Sequence, residues 1–192
     1  MVGITRFNIT DEATGRGKWR FEDSKRYWDI ANTLYRKIFT DLGMPLLQSD
    51  EVIDCTREEF EAGYDYQLGI DVILRPQGQG ESTIQEKFLF TRFNTVTVEH
   101  CQDWRILEPG DWFKLKAQYY FVGYDAEKQL QFDPWVLIDW PRLQRATAQH
   151  RVPWHLGENK EDGAKASFMY VKFEKLPPEV IVASSRYAYS LF

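Results

Sequence analysis

Four polar side chains interrupt two apolar runs near the middle of the chain. Asp71 lies within GIDVIL, and Gln85, Glu86 and Lys87 lie within IQEKF. Successive side chains of a strand point to opposite faces, so Gln85 and Lys87 project together while Glu86 points the other way. A carboxylate, an amide and an ammonium in an apolar setting cost several kcal/mol unless something compensates them.

The two runs are predicted to form a β-hairpin, with Ile70 to Leu74 as one strand and Thr83 to Phe90 as the other. Both segments are short and rich in β-branched and aromatic residues. The intervening RPQGQGES contains a proline and two glycines, which break regular structure.

The register of this hairpin decides which polar groups meet. Residues that oppose each other in an antiparallel pair have a constant sum of residue numbers, and a turn centred on position 78 or 79 places Asp71 opposite Gln85 or Lys87. Either register puts Asp71, Gln85 and Lys87 on one face. A slip by one residue would instead place Glu86 beside Asp71.

Two interpretations of this cluster follow from the residues alone. A bound metal and its substrate would compensate the three polar groups. Alternatively, Asp71 and Lys87 form an ion pair on a solvated face of the sheet.

The GID at 69–71 and the QEK at 85–87 together resemble the PD-(D/E)xK nuclease superfamily. The match is to the variant in which Gln replaces the second acid, as in Mrr-type restriction enzymes. The resemblance covers the chain from Ser24 to Tyr124. It implies an α/β protein with the restriction endonuclease-like fold, in which helices flank a mixed β-sheet. Two positions depart from the pattern, because Ile70 replaces the usual proline and Glu86 stands where an apolar residue would be more comfortable.

The chemistry implied by the resemblance is metal-dependent hydrolysis of phosphodiester bonds. Asp71 would bind Mg²⁺ or Mn²⁺, Gln85 would contribute a side-chain oxygen, and the backbone carbonyl of Glu86 would complete that side. Lys87 would orient the attacking water and offset the negative charge that develops on the phosphate. Whether Gln85 or Glu86 faces the metal is left open.

A further acid is expected at this site, since one carboxylate holds Mg²⁺ weakly. Asp65 is the first choice as a metal ligand, Asp29 the second and Glu99 the third. Residues 50–71 contain eight acids against Arg57 alone. The alternative interpretation of that run is a solvated acidic face.

Periodicity predicts the elements that position these residues. Apolar residues recur every three or four positions from Ser24 to Leu42, which predicts a helix with Ser24 as its cap and Gly43 as its stop. The other predicted elements are an extended piece at Val52 to Cys55, strands at Thr95 to Glu99, Gln118 to Tyr124 and Trp135 to Ile138, a short helix around GDWFKLKA, and a helix at Trp140 to Gln149. This order favours a mixed sheet covered by helices.

The last quarter of the chain is predicted to return to β structure. Strands at Ser167 to Glu174 and Val180 to Ser184 could pair across KLPPE. The preceding WHLGENKEDGAKA is predicted to be a mobile loop.

Composition narrows the classes of protein that need to be considered. The length of 192 residues and the 43% hydrophobic content predict one folded domain with one core. The net charge of -5 argues against holding nucleic acid by bulk electrostatics, although the segment from Arg16 to Lys37 is basic. Phosphate contacts are assigned to that segment and to Arg92, Lys114 and Lys116. Base stacking or core packing is assigned to the aromatic residues Trp104, Trp112, Tyr119 and Tyr120.

The expected partner is nucleic acid, DNA in the first place, and a homodimer is left open. No apolar run approaches the ~20 residues that cross a bilayer, and the start of the chain lacks a secretory signal, so no membrane partner and a cytoplasmic location are expected. Cys55 and Cys101 are expected to be reduced thiols, and the three histidines have no zinc-site companions.

Two competing functions remain. One is a catalytically inactive nucleic-acid-binding or scaffold module on the same fold. The other is an aromatic-rich domain that binds a small ligand, which predicts a closed apolar pocket and no metal.

Overall fold

The computed structural model describes residues 2–9, 25–55, 69–91, 93–158 and 166–186, which form a mixed α/β fold. The elements in chain order are β1 (Ile4–Ile9), α1 (Trp28–Asp41), β2 (Asp50–Cys55), β3 (Val72–Leu74), β4 (Ser82–Leu89), β5 (Thr95–Asp103), β6 (Glu108–Pro109), α2 (Asp111–Lys114), β7 (Tyr119–Tyr124), β8 (Trp135–Asp139), α3 (Trp140–Ala148), β9 (His155–Glu158), β10 (Ser167–Lys172) and β11 (Ile181–Ser184).

The strands form two sheets. The larger has seven strands in the order β11-β8-β7-β4-β3-β1-β2, and the smaller has four in the order β6-β5-β10-β9. In the larger sheet β4 pairs with β7 and β1 pairs with β2 in parallel, while the other neighbours are antiparallel. The predicted mixed sheet is therefore confirmed, and the motif strand β4 lies at its centre.

Different layers cover the two faces of the seven-stranded sheet. One face, called the helix face below, packs against α1 through Ala31, Tyr35, Ile38 and Phe39. The opposite face, called the small-sheet face, packs against β5, β10 and α3. The apolar core is accordingly divided by the sheet into two main clusters, where one core had been predicted.

The β3–β4 hairpin is confirmed, and its register is one of the two predicted. Val72 pairs with Ile84 and Leu74 with Ser82, which gives an index sum of 156. Continuing this register places Asp71 across from Gln85. The strand alternation of β4 puts buried Ile84 in the cluster on the helix face, and Leu89 packs against the cluster on the small-sheet face.

The helix before the hairpin is also present, but it begins later than predicted. α1 starts at Trp28 with Tyr27 at its N-cap and no side-chain cap, and Ser24 lies outside the described residues. The predicted stop is correct, because Gly43 takes a φ of 73° directly after the C-cap Leu42. That left-handed conformation costs glycine little.

Two predictions for the C-terminal part of the chain were wrong: the pairing of its two strands, and the absence of regular structure in the loop before them. β10 and β11 do not pair with each other; β10 joins β5 and β9 in the small sheet, and β11 joins β8 at the edge of the large one. Two 3₁₀ turns, Phe173–Lys175 and Pro178–Val180, carry the chain between the sheets, and both bury apolar side chains. The predicted mobile loop contains β9, while its residues 159–165 lie outside the described part of the chain.

The remaining predicted elements are confirmed with bounds that differ by a few residues, and β1 and β6 had not been predicted. α3 begins as expected with proline in its first turn, and the Asp139 carboxylate accepts a hydrogen bond from the backbone N–H of Arg142 at 2.8 Å. Within the described ranges, none of the helices combines the length and apolarity that crossing a bilayer requires.

Candidate functional site

The Asp71 carboxylate lies at the point where the β3–β4 ladder ends. Its Oδ2 accepts hydrogen bonds from the Gln85 Nε2 at 2.7 Å and from the backbone N–H of Glu86 at 2.6 Å. β3 begins only at Val72, so the carboxylate takes the place of a backbone acceptor for the Glu86 N–H. Asp71 and Gln85 are thereby joined, as the hairpin register predicted.

Gly69 is required by this arrangement. Its φ is 57°, and a Cβ atom added there would lie 2.2 Å from the Leu115 Cδ2 and 3.0 Å from the Gln85 Oε1. A side chain at position 69 would therefore be strained and would displace Leu115. The glycine of the GID sequence lets the backbone approach Gln85 closely.

Lys87 lies on the same face as Gln85 and reaches toward the small sheet. Its Nζ donates to the Thr97 carbonyl at 3.1 Å, and the Tyr120 hydroxyl donates to the same oxygen at 2.9 Å. Within the described ranges, the structure gives Lys87 no direct ion pair. Burial lowers the pKa of Lys87, against the opposing effect of the negative charges of Asp111 and Glu99.

Two carboxylates flank this ammonium. Asp111 is the first residue of α2, and Gly110 before it packs so closely on β5 that an added Cβ would lie 2.6 Å from the Glu99 carbonyl oxygen. Burial raises the pKa of Glu99, and the charge of Asp111 raises it further, against Lys87 and Lys114. Burial also raises the pKa of Asp111, again against the two lysines. Asp111 nevertheless remains exposed at the rim of the site.

Tyr120 connects the two halves of this region. The side chain is buried, and burial raises the pKa of its hydroxyl well above the ordinary value, with further contributions from Asp111 and Asp71. The phenol therefore stays protonated and acts as a hydrogen-bond donor to Thr97. Asp71 and Asp111 thus lie within electrostatic reach of one buried, neutral donor, which shares the Thr97 carbonyl with Lys87.

Glu86 belongs to a separate polar network on the helix face. Its carboxylate accepts two hydrogen bonds from Arg6, Nη1 to Oε2 at 2.6 Å and Nη2 to Oε1 at 2.8 Å. The Tyr35 hydroxyl donates to Oε1 at 2.6 Å. Arg6 also donates from Nε to the Asn32 Oδ1 at 2.7 Å, and Asn32 in turn donates to Asp50 at 3.0 Å.

The charges of this network stabilise each other although it is buried. Arg6 is 2% exposed; burial opposes its charge, but the charge of Glu86 and the hydrogen bonds to it raise the pKa of Arg6 above its ordinary value. Burial and the adjacent Glu86 raise the pKa of Tyr35 well above its ordinary value. Arg6 therefore stays charged and the Tyr35 hydroxyl stays protonated at neutral pH.

The structure brings together only some of the predicted site residues. Asp71 and Gln85 are in contact, and Lys87 and Glu99 lie on the same side of the sheet within electrostatic reach of each other. Asp29 is exposed on α1, which covers the opposite face, so its assignment to this site was wrong. Asp65 lies outside the described residues.

Three residues of the region were missed from sequence: Arg6, Tyr35 and Asp111. Arg6 is the only charged residue of β1 and Glu86 is the only acid of β4, and their opposite signs were a usable signal for pairing. Asp111 was assigned to a short helix, but nothing in the sequence places that helix against β5.

The proposed phosphate and base contacts receive uneven support. Lys114 donates to the Gln102 Oε1 at 2.7 Å, Lys116 is exposed, and Arg92 lies outside the described residues. Of the aromatic candidates, Trp104 is 56% exposed, Tyr120 is buried, and Trp112 and Tyr119 pack against the two core clusters.

The donor atoms around Asp71 fit a divalent cation in chemical type but not in number. They comprise a carboxylate, an amide oxygen and backbone carbonyls, which hard cations prefer. The Gln85 amide presents its nitrogen to Asp71, and a cation bound between them would replace that hydrogen bond with the amide oxygen. No group of three or more His, Cys, Asp or Glu suited to a metal occurs in the described part of the chain.

Two open grooves lie elsewhere on the molecule. One, of about 310 Å³, is lined by residues between Thr91 and Arg186, and the other, of about 840 Å³, surrounds the β3–β4 turn. Neither has Asp71 or Lys87 in its lining. Cys101 is a free, buried thiol, as expected.

Comparisons of the chain with models of protein families, with curated proteins and with solved structures found no match. The function is therefore inferred from the geometry of β4 and its surroundings.

Proposed function

We propose that this protein is a divalent-metal-dependent nuclease that hydrolyses phosphodiester bonds, with DNA as its substrate, on a restriction endonuclease-like fold. The observation that carries the proposal is the joint placement of Asp71, Gln85 and Lys87 on one face of the β3–β4 hairpin. These are the residue types and the order that the resemblance to the PD-(D/E)xK superfamily requires.

The order of elements supports the fold assignment. α1 is followed by the hairpin that bears the motif, by β5, by α2 and then by β7, which lies parallel to β4. β5 is the exception in this order, because it belongs to the small sheet and pairs there with β10. That departure brings the Thr97 carbonyl and Glu99 over the motif strand.

Each residue of the site would have a separate role in hydrolysis. Mg²⁺ or Mn²⁺, when bound, supplies a water of lowered pKa and polarises the phosphoryl oxygens. Asp71 and Gln85 would hold the ion. Lys87, anchored on Thr97, would orient the water and offset the charge that grows on the phosphate.

The flanking acids have a second effect on Lys87. Burial lowers the pKa of this lysine, and Asp111 and Glu99 counteract the decrease. They therefore favour the protonated ammonium, which is the form that stabilises an anionic transition state.

The decisive experiment measures metal binding and cleavage in matched variants. Supercoiled plasmid, linear duplex, single strand and RNA are incubated with Mg²⁺, Mn²⁺ or EDTA, and Mn²⁺ binding is measured by titration calorimetry. We expect Asp71→Asn to abolish Mn²⁺ binding and Lys87→Ala to reduce cleavage at least about a hundredfold. Asp29→Asn and Lys175→Ala, which change exposed residues of the same types, should leave both properties intact.

Cleavage that persists in EDTA, or that survives Lys87→Ala, would overturn the proposal. A second candidate is an inactive nucleic-acid-binding or scaffold module, which is favoured by the Gln85 amide nitrogen that faces Asp71. It predicts that the wild-type protein binds DNA without cleaving it and shows no Mn²⁺ binding that depends on Asp71.

A further inference from the structure

Glu86 bonds to groups on both faces of the sheet, through its side chain on one face and its backbone N–H on the other. Its side chain enters the network on the helix face, and its backbone N–H bonds to the Asp71 carboxylate at 2.6 Å. Gln85 and Lys87, its two neighbours in the chain, both project to the small-sheet face. The position of this one residue therefore governs all three polar groups of the candidate site.

The Glu86 side chain is held by a planar and bidentate contact. The two terminal nitrogens of Arg6 bond to the two carboxylate oxygens at 2.6 and 2.8 Å, and this geometry fixes orientation as well as distance. Tyr35 adds a third donor at 2.6 Å. The Glu86 carboxylate thus has two partners on two different elements, β1 and α1.

Arg6 is itself immobilised from several directions. Its Nε bonds to Asn32, and its guanidinium lies 5.5 Å from the centre of the Trp28 ring. Asn32 and Trp28 both belong to α1, and the network extends through Asp50 to β2. The hydrogen bonds that hold the Glu86 carboxylate therefore come from packed strands and helices and not from loops.

We infer that Arg6 and Tyr35 are positioning residues for the Asp71–Lys87 site, since by holding the Glu86 carboxylate on the helix face they fix the peptide whose N–H orients Asp71 on the other face. This inference rests on the proposed function for its catalytic consequence. Arg6 and Tyr35 donate their hydrogen bonds to Glu86 and lie within electrostatic reach of Asp71. A network that served stability alone would have no specific effect on Asp71.

Tyr35→Phe and Tyr27→Phe form a matched pair that separates these cases. Both remove one buried phenol hydroxyl that donates to a carboxylate, Glu86 at 2.6 Å in the first case and Asp125 at 2.8 Å in the second. Both tyrosines pack in the same core cluster. Only Tyr35 is connected to Asp71 through Glu86.

The first measurement is hydrogen exchange of the Glu86 amide by NMR, in the full chain without metal or substrate. We expect Tyr35→Phe to accelerate this exchange about tenfold relative to that of Val122 on the neighbouring strand, and Tyr27→Phe to leave the ratio unchanged. The second is Mn²⁺ affinity, which Tyr35→Phe should weaken about tenfold, as expected when a residue that orients a metal ligand is lost. In cleavage assays kcat should fall while KM for DNA stays constant.

Equal effects of the two variants, or an unchanged Glu86 exchange ratio in Tyr35→Phe, would overturn the inference. Arg6→Lys gives an independent check, because it keeps the charge and removes the bidentate contact; it should also accelerate Glu86 exchange. If the wild-type protein neither binds Mn²⁺ nor cleaves DNA, the proposed function fails, and the exchange measurement still decides whether Arg6 and Tyr35 position this peptide.

Discussion

The two faces of β4 differ in the partners of their charged side chains. On the helix face, the Glu86 carboxylate accepts hydrogen bonds from both Arg6 and Tyr35, and at most 6% of the Arg6 and Glu86 side chains is exposed. On the small-sheet face, Lys87 has the Thr97 carbonyl as its acceptor, and its acidic neighbours act from a greater distance. The same strand therefore carries a network built on a direct ion pair on one face and a lysine bonded to a backbone carbonyl on the other.

This difference separates a structural role from a functional one. Buried charges that are mutually satisfied hold elements together, and breaking such a set leaves a desolvated charge behind. Charged groups whose pKa values are shifted by burial and that lack a direct ion pair recur in binding and catalytic sites. Lys87, Glu99 and Asp111 belong to the second kind.

Substitution of Arg6 should produce the largest loss of stability and is the strongest test of this comparison. Arg6→Ala leaves the Glu86 carboxylate buried without its main partner and should lower the free energy of unfolding by about 3–5 kcal/mol. Lys87→Met on the opposite face should cost little, because it replaces a desolvated ammonium with an apolar chain. Urea unfolding of both variants measures the difference. Equal losses would show that the two faces do not differ in the way described.

Substitution of Gly69 should cause the next largest loss of stability. It tests how rigidly the backbone beside Asp71 and Gln85 is held on the small-sheet face. Gly69→Ala combines a positive φ with a clash against Leu115 and should cost about 2–4 kcal/mol. Gly78→Ala is the control, since Gly78 also has a positive φ but a Cβ there meets nothing within 4 Å. Thermal unfolding should therefore show a clearly smaller loss for Gly78→Ala. Similar losses would mean that the contact with Leu115 is readily relieved.

Neutralising Asp111 should have the smallest effect, and its sign depends on pH. Because burial raises the pKa of Asp111 above its ordinary 3.8, the folded state binds the proton more tightly than the unfolded state. The stability that this group contributes is present below that value and is lost as the pH rises through the higher pKa of the folded state. Asp111→Asn should therefore raise the free energy of unfolding at pH 7, by less than about 0.5 kcal/mol, and leave it unchanged near pH 3.5. Urea unfolding at the two pH values checks this, and a loss of stability at pH 7 would contradict it.

The hairpin was predictable because its cause is local. Strand alternation and an even index sum were enough to place Asp71, Gln85 and Lys87 on one face, and the observed sum of 156 agrees with one of the two predicted registers. α1 and its stop at Gly43 were equally accessible, since the spacing of apolar residues and a single glycine determine them.

The partners of these groups were not predictable in the same way. Arg6 meets Glu86 across 80 residues of sequence because β1 inserts between β3 and β2, which is a property of the sheet order. Asp111 lies within electrostatic reach of Lys87 because its helix packs on β5, which belongs to the small sheet that covers this face. The wrong pairing of β10 with β11 has the same origin, since short sequence separation favours a hairpin, whereas two 3₁₀ turns with buried Phe173 and Val180 carry the chain from one sheet to the other.

The alternation of charge along β4 also protects the chain against mispairing. Were the strand to slip by one position, Gln85 or Lys87 would replace Glu86 beside the Arg6 guanidinium, and Glu86 would enter the neighbourhood of Asp71, Glu99 and Asp111. One face would then lose its counter-ion, and the other would gather carboxylates. Folding of the central strand therefore has a single electrostatically tolerable outcome.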